Sequence, residues 1–183
     1  MKMMAKKKKT PAQKILYQGK YLRLLDRNGW ECVERTHCSG IVIVLAMTAE
    51  GKVVFAEQYR APVQANVIEF PAGLVDDGKS GRGEKHEESA LRELEEETGY
   101  RAKRIVRLID GPVNTGLSAD KVAIFRAYGL KKVSAGGGDP LEDITVHEIP
   151  LPKVPSWIKS MERKGRLVDP KIYAGLYFLT QGS

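Results

Sequence analysis

Four of the five residues from 93 to 97 are acidic, and this run stops just short of Gly99. Ala90, Leu91, Leu94 and Thr98 recur at helical spacing, which predicts an amphipathic helix from about Glu84 to Thr98 with Gly99 just past its end. Such a helix turns the negative end of its dipole toward Glu95, Glu96 and Glu97, at a cost in stability. Glu93 and Glu97, four residues apart on one face, repel each other as well. A fold that keeps both features needs compensating positive charge, and a divalent cation is the simplest source. The apolar stripe must therefore pack on a sheet while the acidic edge faces a cleft.

The rest of the chain supplies such a sheet. Gly40 to Met47 is a continuous apolar run, the pattern of a strand buried on both faces. Further strands are expected at Lys52 to Tyr59, Val67 to Phe70, Arg104 to Ile109, Val122 to Tyr128 and Ile144 to Ile149. Two helices follow, one over Pro155 to Lys164 and one started by Asp169 as N-cap with Pro170 at its first position. Ahead of all this, Ile15 to Tyr17, Tyr21 to Leu24 and Trp30 to Val33 are β-prone, and Asn28-Gly29 is a hairpin-turn signal. The order predicts a mixed α/β (α+β) sandwich behind a small antiparallel β meander. Its divisions are a basic tail at 1–12, the meander at 13–37 and the main domain at 38–183. The polar, glycine-rich stretches 76–83 and 134–140 are expected to be loops, the second of them mobile.

The 183 residues suit one compact domain with a small appended element, and no segment is long and apolar enough to span a bilayer. A net charge of +7 suggests a polyanion partner, but six of the excess positive charges sit in residues 1–14, which hold no acid, leaving +1 for the rest. A solvated tail is the expectation, with weak polyanion contact as the alternative. Lys6 to Lys9 lead into Thr10-Pro11-Ala12-Gln13 rather than an apolar stretch, so the tail does not read as a secretory signal. Cys32 and Cys38 match no zinc spacing and read as reduced thiols, consistent with a cytoplasmic protein.

At 3.6 residues per turn, Glu93 and Glu97 lie about 40° apart around the helix axis. They offer hard oxygen ligands for Mg²⁺ or Mn²⁺. Glu96 can join them, and Arg92, four residues before Glu96, can orient its carboxylate. A solvated acidic face is the bland alternative, and the wider pattern weighs against it. Gly78, Glu84, Arg92, Glu93, Leu94, Glu96, Glu97, Gly99 and Tyr100 fit G-x5-E-x7-R-E-U-x-E-E-x-G-U. The chain resembles the Nudix hydrolases over roughly residues 38 to 183. The resemblance implies an α/β/α sandwich that hydrolyses nucleoside diphosphates linked to another moiety. Removal of Lys79 to Gly83 would give Gly73 the same spacing to Glu84, so Gly73 is taken as the structural counterpart of the motif glycine. The five inserted residues form either a mobile flap or a passive loop.

Trp30 to Arg35, Glu57 to Pro62 and Ile68 to Leu74 resemble the ADP-ribose pyrophosphatase and nucleotide-sugar hydrolase branch. That resemblance implies a homodimer formed through the meander, with Tyr21 and Trp30 clamping the base. Ordinary packing is the alternative for both rings. It also implies phosphate contacts from Arg35 and Arg60, support of metal or substrate by Glu69, and metal ligation by Glu93, Glu97, Glu96 and the Ala72 carbonyl. The base is expected from a late loop, Glu142 first and Asp143 second, with Glu96 still open. His37, His86 and His147 are assigned no role. Thr115 stands where the branch carries a proline before Gly-Leu-Ser, which leaves room for substrates other than ADP-ribose, such as GDP-mannose. Alternatives are an RNA 5′-pyrophosphohydrolase, a dinucleoside polyphosphate hydrolase, or a non-catalytic nucleotide-sugar sensor. The partner expected is a small nucleotide sugar; neither nucleic acid nor membrane is expected.

Overall fold

The computed structural model describes residues 12–76, 83–138 and 142–181, so residues 1–11 of the tail, Gly78 and residues 79–82 of the insertion lie outside the described residues. The chain divides into two compact units, Met1–His37 with Pro112–Asp120, and Cys38–Gly111 with Lys121–Ser183.

In the first unit, β1 (Gln13–Gln18), β2 (Leu22–Arg27) and β3 (Trp30–Arg35) form an antiparallel sheet in that order. Arg27 pairs with Trp30 across Asn28 and Gly29, both at positive φ (59° and 80°), the backbone of a two-residue turn whose twist matches its strands. The sequence reading placed residues 112–120 in the main domain, whereas they pack with the meander. The Val33 amide donates to the Leu117 carbonyl at 2.8 Å, and the Ala119 amide to the Val33 carbonyl at 2.9 Å. Such pairing between distant segments leaves no local sequence signal.

The second unit holds β4 (Ile41–Ala46), β5 (Lys52–Arg60), β6 (Ala65–Glu69), β7 (Ala72–Leu74), α1 (His86–Thr98), β8 (Tyr100–Arg101), β9 (Arg104–Pro112, all but its last residue), β10 (Lys121–Tyr128), β11 (Lys131–Lys132), β12 (Thr145–Pro150), α2 (Val154–Arg163), β13 (Leu167–Val168) and α3 (Lys171–Thr180). One sheet runs β7-β4-β10-β9 and another β12-β5-β6-β13, with β8 paired to β11. β10 lies parallel to β4 and β13 parallel to β6, while β7 on β4, β5 on β6 and β12 on β5 are antiparallel, so both four-stranded sheets are mixed.

β4 explains its apolar run by serving two cores. Ile43 and Leu45 join Phe55, Ile68, Ile124, Ile158 and Ile172 in the core shared with α2 and α3. Val42, Val44 and Ala46 join Ala90, Leu94 and Phe125 in the core under α1. Helices thus cover the strands from two sides, a mixed α+β arrangement. A buried polar cluster crosses the second sheet: the Glu57 carboxylate accepts from Arg166 Nε at 2.9 Å and Asn66 Nδ2 at 3.3 Å and meets His147 Nε2 at 2.8 Å. No helix is long and apolar enough to cross a membrane among the described residues.

Candidate active site

The acidic helix begins at His86, later than the Glu84 start expected from the sequence. Glu84 is diverted to another task. Its carboxylate, only 3% exposed, accepts from the Asp76 amide at 3.1 Å and from Arg92 Nε at 3.0 Å. Asp76 reciprocates, its Oδ1 accepting from the amides of Gly83 at 2.7 Å and Glu84 at 3.0 Å. Burial sits on the expected stripe at Ala90, Leu94 and Thr98, but Leu91 is only half-buried, while Ser89 and Glu97 are buried.

Arg92 is the hub of the acidic edge. Besides Glu84, its Nη1 lies 2.8 Å from Glu93 Oε1 and 3.0 Å from Glu96 Oε2, and its Nη2 donates to the Leu74 carbonyl at 3.3 Å. Burial works against its charge, but the bond to Glu84 and the charges of Glu93 and Glu96 outweigh it and hold the guanidinium above its usual range. Glu95 points elsewhere, to Arg101 Nη2 at 2.6 Å.

The short strand β7 presses on this edge. A Cβ at Gly73 would fall 1.9 Å from Glu93 Cδ, so any side chain there would occupy the place of the Glu93 carboxylate. Next to it, the Ala72 amide donates to Glu97 Oε2 at 3.1 Å. The observed Ala72 contact therefore runs through its N–H, whereas the sequence reading assigned its carbonyl. Burial pushes the Glu93 carboxyl up to about 7; Arg92 opposes this, and the charges of Glu96 and Glu142 add to it. Burial likewise pushes Glu97 up to about 8, opposed by the Ala72 amide and by Arg60, and reinforced by Glu93 and Glu142. Glu93, Glu97 and Glu142 are thus electrostatic neighbours with too little positive charge between them.

That deficit is the test of whether a cation suits the site. The donors are carboxylate oxygens, which hard divalent ions prefer, and two of them are largely buried one helical turn apart. The donor set fits. As the side chains stand, Glu93 is engaged with Arg92, and no three His, Cys, Asp or Glu side chains converge as ready-made ligands among the described residues.

The remaining expected residues fall into two groups. Arg60 and Glu69 pair on adjacent strands, Nε to Oε2 at 2.6 Å, so Glu69 holds Arg60. Glu142 and Asp143 are both exposed. Tyr21, Trp30 and Arg35 belong to the first unit. Both rings are well exposed, at 65% and 63%, so packing does not account for them. Trp30 Nε1 donates to the Gly116 carbonyl at 3.2 Å, beside a hollow of about 380 Å³ lined by Arg27, Cys32, Thr115 and Leu117 among others. Arg35 Nε lies 3.4 Å from Asp120 Oδ2.

Sequence reasoning missed Asp76, whose positive φ (73°) and closure onto Gly83 and Glu84 have no signature in composition. It also missed Glu57 with His147. Partners on β5 and β12, 90 residues apart, cannot be read from spacing along the chain.

The geometry can be set beside known proteins. The chain is 36% identical over 141 residues to a methanol dehydrogenase activator of Bacillus methanolicus, covering 76% of this chain and 71% of the relative. It is 32% identical over 167 residues to an ADP-ribose pyrophosphatase of Bacillus subtilis (strain 168), covering 87% and 88%. A solved structure, the crystal structure of an ADP compounds hydrolase, superposes with a TM-score of 0.66 at 20% identity, covering 97% of this chain and 95% of that one, and so shares the fold. The NUDIX domain family matches residues 37–149, a span that includes α1, β7 and Glu142; the chain belongs to the Nudix family.

Proposed function

We propose that this protein hydrolyses the pyrophosphate bond of a nucleoside diphosphate sugar, ADP-ribose first, with Mg²⁺ or Mn²⁺. The observation that carries the reading is the largely buried Glu93–Glu97 pair on α1, whose carboxyls are raised first by burial and further by neighbouring carboxylates, Glu142 among them for both. The Bacillus subtilis ADP-ribose pyrophosphatase, similar over most of both chains, supports the substrate class.

Glu93, Glu97 and Glu96, with the Ala72 carbonyl, hold the cation. When bound, the cation neutralises diphosphate charge and polarises the attacked phosphorus. Glu142 takes the proton of the attacking water, with Asp143 as the alternative base. The water oxygen bonds to one phosphorus, the bridging P–O bond breaks, and AMP and ribose 5-phosphate leave. Arg92 keeps Glu93 and Glu96 aimed, anchored from behind by Glu84. Arg60 and Arg35 offer guanidinium forks to phosphate oxygens. Tyr21 and Trp30, with exposed rings, hold the base. The meander also pairs two copies of the chain, and the setting is the cytoplasm.

The test is AMP release from ADP-ribose with Mg²⁺ and with a chelator, alongside GDP-mannose, UDP-glucose, dinucleoside polyphosphates and capped RNA. Chelation abolishes turnover, and Glu93→Gln or Glu97→Gln lowers kcat by on the order of 10³-fold, the scale of several kcal/mol of transition-state stabilisation. Native-like turnover in either variant refutes the metal assignment.

A further inference from the structure

Residues 134–140 were expected to form a mobile loop, yet Gly136–Gly138 are docked on the end of α1. The last carbonyls of any helix lack partners within it. Here the Gly137 amide donates to the Glu97 carbonyl at 2.8 Å and the Gly138 amide to the Glu96 carbonyl at 3.1 Å. These carbonyls belong to two of the very residues whose side chains form the acidic edge.

Only glycine fits this approach. Gly136, Gly137 and Gly138 all have positive φ, at 74°, 115° and 82°. A Cβ at Gly136 would lie 2.4 Å from the Thr98 carbonyl carbon and 2.6 Å from the Glu97 oxygen. One at Gly138 would lie 2.5 Å from Glu142 Oε2 and 2.7 Å from Glu142 Cβ.

The same residues close the segment that carries Glu142. The Gly137 carbonyl accepts from the Ile144 amide at 3.3 Å, and Ile144 is buried at 7% exposure. The chain therefore leaves Gly137 and returns to it. Glu142 lies two residues from that anchor, and two residues span at most about 7 Å.

We propose that Gly136–Gly138 are positioning residues, a bracket that fixes Glu142 against the helix holding Glu93 and Glu97 so that the base and the metal carboxylates move as one body. The bracket rests on the reading of Glu142 as the base. Within it Glu142 has only a short, bounded reach.

The first measurement needs neither metal nor substrate. Amide hydrogen exchange by NMR on the metal-free protein shows Gly137 and Gly138 protected to the level of the α1 amides, and Gly136→Ala removes that protection. The second is a double-mutant cycle. Gly138→Ala lowers kcat by on the order of 10²-fold, the cost of misplacing a reacting group by about 1 Å, with little change in KM. In a Glu142→Gln background the same substitution costs no more than about twofold, because the group it acts through is already gone. Equal losses in both backgrounds, or exchange at Gly137 and Gly138 as fast as in an open loop, overturn the bracket. Absence of metal-dependent hydrolysis in the native protein refutes the proposed function instead, and the exchange measurement still decides the bracket.

Discussion

Without a cation, the acidic edge should make this protein less stable as the pH rises. Glu97 is 2% exposed, and its carboxyl is raised from 4.5 to about 8; Glu93 is raised to about 7. A group raised in the folded state contributes stability that is complete below its unfolded value and is lost as pH climbs through its folded value. The window therefore runs from about 4.5 to about 8. One pH unit is worth about 1.4 kcal/mol per group, so Glu97 alone loses about 5 kcal/mol across it, about 3.5 kcal/mol of that above pH 5.5. Glu93 acts in the same direction but shares the repulsion, so the two do not add. At about 2–4 °C per kcal/mol for a chain of this size, Tm falls by roughly 7–14 °C between about pH 5.5 and 8. Glu57, Asp76 and Glu95 are shifted down, so their contributions are already complete above the ordinary carboxylate range and leave the upper window clear. The assay is thermal unfolding with chelator from pH 5.5 upward, repeated with excess Mg²⁺ and with Glu97→Gln. Cation at about 100 times its Kd restores roughly 2.7 kcal/mol. Glu97→Gln keeps an acceptor for the Ala72 amide and flattens the profile. A metal-free Tm that stays level or rises with pH, or a slope unchanged in Glu97→Gln, refutes the reasoning.

Gly73→Ala drives a methyl group into the Glu93 carboxylate, so metal-dependent turnover falls by on the order of 10²-fold with the fold retained; steady-state kinetics beside circular dichroism checks this. Arg92→Lys loses the fork that serves Glu84, Glu93 and Glu96 together and leaves the buried Glu84 poorly paired, costing roughly 3 kcal/mol in urea unfolding.

The parts legible in the sequence were those written in local spacing. The α1 stripe, the two-faced apolar run of β4 and the Asn28-Gly29 turn each follow from neighbours a few residues apart. Gly73 could be singled out because an insertion preserves spacing on either side of itself, and its contact with Glu93 gives that glycine a steric reason. The helix start was misplaced because Glu84 suits a helix by propensity but is claimed by Arg92 and Asp76. Asp169 was read as the cap of α3; its side chain does accept the Lys171 amide at 2.8 Å, although the helix itself begins at Lys171, beyond Pro170. Gly136–Gly138 suggested freedom because glycine permits many conformations, and only the tertiary contact shows that one of them is held.

The cluster around Glu57 has a consequence for strand alignment. A strand that slips by two residues keeps its alternation, so apolar packing alone discriminates weakly between such registers. A buried carboxylate bonded to Asn66, His147 and Arg166 does not tolerate that slip, because moving toward Asn66 on β6 carries it away from His147 on β12, and the reverse, so the full set of partners is kept in one register only. Glu57 thus pins β5 against β6 and β12 in the observed pairing, Glu57 opposite Ile68 and Thr145. A two-residue slip would carry Arg60 about 7 Å along the sheet. Either direction of slip would remake the Arg60–Glu69 pair and change how Arg60 bears on Glu97. Arg60 projects from the opposite face of β5 to Glu57, so the aim of the arginine proposed to meet phosphate is set by an ion cluster on the far side of its own strand.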